Sequence, residues 1–195
     1  KGGAGDDIIV GGIEHKINEW DWFEGDTAIF GADSKYFNVS IEQVEFSDAS
    51  VDWDNSGSPA TDASEADKAA MLATDVALKD ALVARFGGDE ITRIVVEDTR
   101  DATAGGLGTD VLYGIENLQF GATSSDQGYD WQQRFKVEAE VMSDNKGKIT
   151  NFMGTMFGDI FIDDDAVKAN TWIDSGAGDD IIIAGGGGDS INPGA

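Results

Sequence analysis

Aspartates recur at one fixed place in short glycine-rich segments near both ends of the chain. The segments read GGAGDDIIV at 2–10 and SGAGDDIII at 175–183, with Asp7 and Asp180 as the equivalent acids. Glycine lets a tight turn direct its carbonyl oxygens inward, Asp adds a carboxylate, and the apolar residue two places later starts a short buried strand. Calcium prefers such a set of hard oxygen ligands. The spacing therefore predicts calcium-binding turns.

Two further segments have the same nine-residue spacing. AGGGGDSIN at 184–192 continues directly from 175–183 and contains Asp189, and the degenerate GTMFGDIFI at 154–162 contains Asp159. We predict that Asp180 and Asp189 lie in successive turns with one calcium between them. The predicted glycine ligands are Gly3, Gly5, Gly176 and Gly178. A flexible linker with chance aspartates is the alternative, but it does not explain an acid and an apolar residue at fixed offsets.

The composition favours the same kind of fold. The 195 residues include 38 acidic and 13 basic side chains, so the net charge is −25. Such repulsion opposes compaction unless cations bind, and it makes nucleic acids and anionic membranes poor partners. An acidic surface that only confers solubility is the alternative, but it predicts acids spread over helices. With no Cys, zinc would depend on His15 and carboxylates, so calcium is favoured.

The region between the terminal segments has a different pattern. We predict a hairpin at 25–40, a polar loop at 48–62, strands at 91–98 and 110–120, and a second hairpin at 131–159. Ser64 and Asp67 have capping-box spacing, and Gly87 ends an apolar periodic stretch, so 64–86 is predicted to be a helix that covers a sheet.

The predicted fold is mainly β with one prominent helix. A β-rich ligand-binding domain at 13–153 is inserted between β-roll turns at 1–12 and 154–195. If the terminal segments stack on one another, Asp7 lies near Asp180 and calcium clamps the base of the insert. If they belong to separate rolls, they cannot share an ion.

Enzyme signatures are missing from the sequence. The one histidine, His15, lies in HKINE rather than in H-E-x-x-H, and Ser175 has Ile173 two places before it instead of the glycine of G-x-S-x-G. No phosphate-binding glycine loop occurs. Paired carboxylates carry little information in so acidic a chain. We therefore expect no enzymatic activity.

The glycine-rich segments resemble the calcium repeats of RTX (repeats-in-toxin) proteins. The passage 91–120, in which a loop ending in G-T-D is followed by L-x-x-I-E-x-L-x-F, is similar to sequences found beside such repeats. This resemblance implies calcium ligands at Asp110 and Glu116, and more weakly at Asp98 and Asp101; an exposed, non-ligating Glu116 is an equal alternative. It also implies type I secretion and a location on the cell surface of a Gram-negative bacterium.

The layout of a helix-bearing insert between repeats resembles the peptide-binding domain of large RTX adhesins. The implied function is a calcium-dependent adhesin module, a monomeric part of a longer chain, that binds peptides or proteins through a free C-terminal carboxylate on an open calcium site. A carbohydrate-binding module and a purely structural RTX spacer are the alternatives. The residues predicted to contact the ligand are Asp52, Trp53, Asp54, Asn55, Arg100 and Asp101. For Trp53, a partly exposed place in the core is the alternative.

Overall fold

A computed structural model describes residues 5–12, 25–57, 62–121, 134–143, 149–163 and 170–194. In this part the chain is mainly β with one α-helix, as the sequence predicts. The elements, in chain order, are β1 (Ile8–Val10), β2 (Thr27–Phe30), β3 (Phe37–Glu45), α1 (Glu65–Phe86), β4 (Glu90–Asp98), β5 (Thr109–Tyr113), β6 (Asn117–Phe120), β7 (Arg134–Lys136), β8 (Glu140–Ser143), β9 (Ile149–Met153), β10 (Ile160–Asp163), β11 (Trp172–Asp174), β12 (Ile181–Ala184) and β13 (Ser190–Asn192).

The chain forms two compact units, each made of separated segments. Unit 1 contains Lys1–His15 and Lys35–Gly114, and unit 2 contains Lys16–Ser34 and Ile115–Ala195.

Unit 1 is a four-stranded sheet with one helix packed on it. The strand order is β1-β5-β4-β3, in which β1 is parallel to β5 and the other neighbours are antiparallel. Ser64 caps α1 by accepting a hydrogen bond from the Asp67 amide, and Gly87 ends the helix with φ +68°. Leu82 of α1 is buried in one cluster with sheet residues, among them Ile91. The predicted helix and its covering role are confirmed.

Unit 2 contains a parallel coil, by which we mean residues 149–163 and 170–194. From β9 to β13 the chain alternates between two sheets, ordered β13-β11-β9-β8 and β10-β12. Inward-facing Phe152, Phe161 and Ile173 form the core between them, with the two phenylalanine rings 4.5 Å apart. A further sheet, β2-β6-β7, belongs to the same unit. One complete turn of the coil therefore takes two strands and two turns.

One predicted hairpin is wrong and the other is confirmed in part. β2 pairs in parallel with β6, while β3 pairs with β4, so 25–40 is not a hairpin. Alternating apolar residues identify strands there but do not select their partners. In the second region β8 and β9 pair antiparallel, with the predicted turn at 144–147 outside the described residues, and β7 pairs with β6 instead.

Candidate metal sites

The parallel strand pairs align the nine-residue segments position for position. Ile9 of β1 lies opposite Leu112 of β5, and Phe161 of β10 lies opposite Ile182 of β12. All four are the eighth, inward-facing residue of a nine-residue segment; the segment of Leu112 is 105–113. The sixth residues of the paired segments therefore also lie opposite each other. The same register holds for Ala28 with Leu118, Ile173 with Ile191, and Ile173 with Phe152.

A complete repeat in the middle of the chain escaped the sequence analysis. Residues 105–113, GGLGTDVLY, match G-G-x-G-x-D-x-U-x at every specified position, with Asp110 sixth and Leu112 eighth. We interpreted this stretch as a loop followed by a strand, although its glycine pattern was the available signal. The 2–10 segment stacks on this repeat, whereas 175–183 stacks on 154–162. In the described strands the two terminal segments therefore lie in separate sheets.

A carboxylate at the sixth position accepts a backbone hydrogen bond in four of the parallel pairs. Asp180 Oδ1 accepts from the Asp159 amide at 2.9 Å, which caps the start of β10. The other three bonds run from Asp7 N to Asp110 Oδ1 at 3.1 Å, from Asp26 N to Glu116 Oε2 at 2.7 Å, and from Thr171 N to Asp189 Oδ1 at 3.0 Å. In every case the acid belongs to the strand that comes later in the chain. The turns thus share one local structure.

The prediction of one calcium between Asp180 and Asp189 is wrong. Nine residues make one strand and one turn, which is half of a coil turn. Asp180 therefore lies at the turn from β11 to β12, and Asp189 at the opposite edge, between β12 and β13. Asp159, and not Asp189, lies opposite Asp180.

The turns at Asp7 and Asp180 fit a hard cation. The Oδ2 atom of each is buried, and no described group donates a hydrogen bond to it. A buried, unpaired carboxylate oxygen is costly, and a bound cation removes that cost. Gly176 and Gly178 have φ values of +86° and +109°, and a Cβ on either would collide with the turn at 155–158. The predicted glycines therefore allow two turns to approach closely around the acids.

Asp110 lies in a strongly acidic environment. Burial raises its pKa, the charges of Asp7 and Asp6 raise it further, and the hydrogen bond from the Asp7 amide opposes them. A cation beside these carboxylates would relieve both the desolvation and the repulsion. Glu116 is half-buried rather than fully exposed, and its Oε2 accepts the Asp26 amide.

Asp98 forms an ion pair with Arg100, and its assignment as a calcium ligand stays a prediction. Its carboxylate accepts bonds from Arg100 Nε at 2.9 Å and Nη2 at 2.6 Å, and from the amides of Arg100 and Leu107 at 3.0 Å. The Arg100 hydrogen bonds lower the pKa of Asp98 to about 2. The guanidinium also lies over the Tyr36 ring. The ligand contact of Arg100 stays a prediction.

Asp101 holds the short turn that follows Arg100. Its Oδ1 accepts from Thr103 Oγ1 at 2.6 Å and from the Ala104 amide at 2.8 Å. These hydrogen bonds lower the pKa of Asp101, beginning with that from Thr103. The side chain is exposed, and its assignment to metal or ligand stays a prediction.

A second acidic group lies in unit 1, where loop 52–57 meets α1. One carboxylate oxygen from each of Asp52, Asp54 and Asp75 lies within 4.8 Å of the others, so these three residues could hold a metal ion. Asp75 Oδ1 accepts the Trp53 amide at 2.5 Å and the Asp54 amide at 3.2 Å. From β4, Arg93 donates to the Asp52 carbonyl at 2.9 Å. The loop is thus held from the helix and from the sheet.

The contribution of Asp75 was missed because no sequence spacing links a helix to a distant loop. The loop itself had a signal: in D-x-D-x-S-G, oxygen-bearing side chains alternate and a glycine follows, as in the first half of known calcium loops. Gly57 has φ +75°, which suits a sharp turn. Burial raises the pKa of Asp54, but the hydrogen bonds from Ser56 oppose it and the net shift is downward.

Trp53 belongs to the hydrophobic core. Its side chain is 2% exposed and stacks on Phe46 with ring centroids 5.4 Å apart. Tyr113 Oη donates to the Trp53 carbonyl at 2.6 Å. The predicted ligand contact by this side chain is therefore wrong. Asn55, also predicted to contact ligand, accepts a hydrogen bond from Arg93 through Oδ1 at 3.1 Å.

Two predicted features lie outside the described residues: Gly3 and His15. Within the described ranges, no helix is long and apolar enough to cross a bilayer. Compared with known proteins, the chain matches no family model, no curated protein and no solved structure.

Proposed function

We propose that this chain is a calcium-dependent extracellular adhesin module of the RTX type, which binds peptide or protein ligands on another cell surface. The observation that supports calcium dependence most directly is the pair of buried, unpartnered oxygens of Asp7 and Asp180 in the described turns. Both belong to glycine-rich turns in which a second carboxylate lies on the neighbouring strand.

Calcium would supply positive charge where the chain concentrates negative charge. Three of the parallel pairs place two acids opposite each other: Asp7 with Asp110, Asp26 with Glu116, and Asp159 with Asp180. Calcium takes six to eight oxygen ligands, and carboxylates together with turn carbonyls can provide them. We expect binding at these turns to offset repulsion within a chain of net charge −25 and to stabilise the fold.

The group formed by Asp52 and Asp54 of loop 52–57 and Asp75 of α1 is the proposed place for ligand binding. All three residues are only half-buried. If each of these carboxylates gives one oxygen, they supply three of the six to eight oxygens that calcium takes, so positions would be left for oxygens from outside the chain. A peptide carboxylate could occupy them because the ion reverses the local negative potential that would otherwise repel it. The resemblance to adhesin peptide-binding domains also favours a peptide carboxylate as the ligand.

The test is binding of short peptides with free or amidated C-termini, measured in calcium and in EDTA. Asp75→Asn removes one of the three charges but keeps an oxygen that can accept the Trp53 amide. Asp80→Asn is the matched control, because Asp80 is exposed on the same helix. We expect binding to require calcium and a free carboxylate, to fall at least tenfold in Asp75→Asn, and to be unchanged in Asp80→Asn.

Two results would refute the peptide proposal. If the folded, calcium-loaded protein binds glycans with vicinal hydroxyls and no peptide, the module is a lectin. If it binds neither, the chain is a structural spacer. Equal binding of free and amidated peptides would rule out the terminal carboxylate as the recognised group.

A further inference from the structure

Loop 52–57 is fastened to the sheet by one arginine. Arg93 of β4 donates from Nη2 to the Asp52 carbonyl at 2.9 Å and to Asn55 Oδ1 at 3.1 Å. The acidic group consists of Asp52, Asp54 and Asp75. We infer that Arg93 is a positioning residue for this group, because it sets the loop geometry in which the three carboxylates receive a cation. The inference rests on the proposed function, in which the acidic group binds calcium.

Arg93 binds the backbone of the loop and not its carboxylates. Among the described residues, the guanidinium forms an ion pair with Glu42 of β3, from Nη1 to Oε1 at 2.7 Å, and with no member of the acidic group. An ion pair within the group would neutralise part of the charge that calcium needs. Because Glu42 balances the charge of Arg93 and the loop offers it neutral oxygens, all three acids keep their charge for a cation.

The contacts of Arg93 fall on a turn with an unusual backbone. Asn55 has φ +53°, the one positive φ at a non-glycine residue in the described part of the chain. This left-handed region is unfavourable for residues with a Cβ, although asparagine tolerates it better than most. The Asn55 amide donates to the Asp52 carbonyl at 3.2 Å, and the same oxygen accepts from Arg93. Arg93 therefore stabilises the turn at residues 52 and 55.

This turn determines where two of the acids lie. Asp52 Oδ2 accepts the Gly57 amide at 2.6 Å, and Asp54 Oδ1 accepts the Ser56 amide at 3.0 Å. Both carboxylates are thus tied to the backbone that Arg93 holds. A site whose ligands are already in place binds more tightly, since less conformational freedom is lost when the ion enters. We therefore expect the cation affinity to depend on a residue that does not contact the ion.

The direction of the change separates positioning from simple charge. A guanidinium near a cation site repels the ion, so an Arg93 that acted through its charge alone would give Arg93→Gln a higher cation affinity. If Arg93 positions the loop, Arg93→Gln binds more weakly. Arg93→Lys should bind more weakly too, because a single ammonium cannot reproduce the contacts of the guanidinium fork. We expect a loss of about tenfold or more in both variants, as is typical when a residue that supports metal ligands is replaced.

Terbium luminescence sensitised by tryptophan measures binding at this group. Terbium stands in for calcium at oxygen sites, and Trp53 lies between Asp52 and Asp54 in the chain. Trp53→Phe identifies the part of the signal that comes from this loop. Arg85→Gln is the matched control, because it removes the same charge from an exposed position about 15 Å along α1 from Asp75. We expect Arg85→Gln to keep the original affinity.

Three outcomes separate the inference from the proposed function. A terbium affinity in folded Arg93→Gln that equals or exceeds that of the original chain would overturn the inference. If the original chain gives no signal from Trp53, the proposed calcium site fails, and the inference fails with it. If the original chain gives the signal and binds free-carboxylate peptides, but both Arg93 variants match it, the inference alone fails.

Substitutions in the loop test the same contact from the other side. Asn55→Ala and Asn55→Gly both remove the oxygen that accepts from Arg93, but glycine adopts φ +53° without strain. We expect Asn55→Ala to weaken terbium binding by about fivefold or more, and Asn55→Gly to weaken it less. If Arg93→Gln does not fold, these exposed loop variants decide the question. An unchanged terbium affinity in Asn55→Ala would contradict the positioning role.

Discussion

Asp180 accepts the backbone N–H of Asp159 through Oδ1 at 2.9 Å, while its buried Oδ2 meets no donor among the described residues. Oδ1 thus links two parallel strands. Oδ2 is shielded from water, and no hydrogen bond from a described residue replaces its hydration. An unpaired buried acceptor costs about 1–3 kcal/mol, more when charged. Among the described residues, protein groups therefore satisfy only one of the two Asp180 oxygens, which supports the proposal of a calcium ion at this turn.

Asp7→Asn should weaken the response of unit 1 to calcium. Asp7 Oδ2 is buried without a described donor, whereas the neighbouring Asp6 is exposed and accepts the Thr109 amide. We expect the calcium-induced rise in melting temperature to be smaller in Asp7→Asn and unchanged in the control Asp6→Asn.

In EDTA the same variant should be as stable as the original chain or more stable, because the Asp7 charge raises the pKa of nearby Asp110 through repulsion. Differential scanning calorimetry in calcium and in EDTA measures both effects. An equal loss of calcium response in the two variants would mean that Asp7 has no special place in the turn.

Asp98→Asn should reduce stability at neutral pH but not in strong acid. The Arg100 hydrogen bonds lower the pKa of Asp98 from 3.8 to about 2. A carboxylate with a depressed folded-state pKa contributes stability above its unfolded pKa, and the contribution disappears as the pH falls from about 4 to about 2. Because Arg100 is partly exposed, we expect about 1–2 kcal/mol.

The measurement is urea unfolding of the original chain and of Asp98→Asn in EDTA, from pH 7 to pH 2. Taking the difference between the two proteins cancels the titration of the other acids. This difference should be constant above about pH 5 and shrink towards zero at pH 2. A difference that does not depend on pH would show that the ion pair is not its cause.

The parts of the fold that the sequence predicts correctly are those determined by residues close together in the chain. The capping residues Ser64 and Asp67, with Gly87 after the last turn, define the helix within a single window. By contrast, β2 pairs with β6 across about 90 residues, and Asp75 reaches loop 52–57 from the helix. Strand periodicity and loop composition cannot encode such partners, because pairing depends on tertiary packing.

Trp53 should affect stability more than ligand binding. The side chain is buried against Phe46 and Tyr113. We expect Trp53→Ala to cost about 3–5 kcal/mol of unfolding free energy, and Trp53→Phe to cost less because part of the ring packing remains. The control Leu72→Ala, at a side chain that is 64% exposed, should cost under about 1 kcal/mol. Urea unfolding measures the three changes.

Peptide binding distinguishes a core-packing role of the Trp53 side chain from a ligand-contact role. Folded Trp53→Phe should bind with nearly the original affinity, since the backbone N–H and carbonyl of residue 53, which bond to Asp75 and Tyr113, are kept. A large loss of peptide affinity in folded Trp53→Phe would instead support the ligand contact that the sequence predicts for this side chain.

Gly176→Ala and Gly186→Ala should have opposite effects, although both glycines lie in turns of the coil. Gly176 has φ +86°, and a Cβ there would collide with the Thr155 carbonyl of the stacked turn. Gly186 is outside the left-handed region, and among the described residues a Cβ there would meet no atom within 4 Å. Strain and the collision should make Gly176→Ala cost more than about 2 kcal/mol.

Gly186→Ala should be neutral or stabilise the chain by up to about 1 kcal/mol, because alanine lowers the entropy of the unfolded chain. Urea unfolding in calcium and in EDTA compares the two variants. Because the Gly176 turn adjoins Asp159 and Asp180, Gly176→Ala should also lose more of the calcium-dependent stabilisation than Gly186→Ala. Equal free-energy costs in the two variants would mean that turns 154–159 and 175–180 do not stack closely. The proposed calcium site between these two turns would then lose its geometric basis.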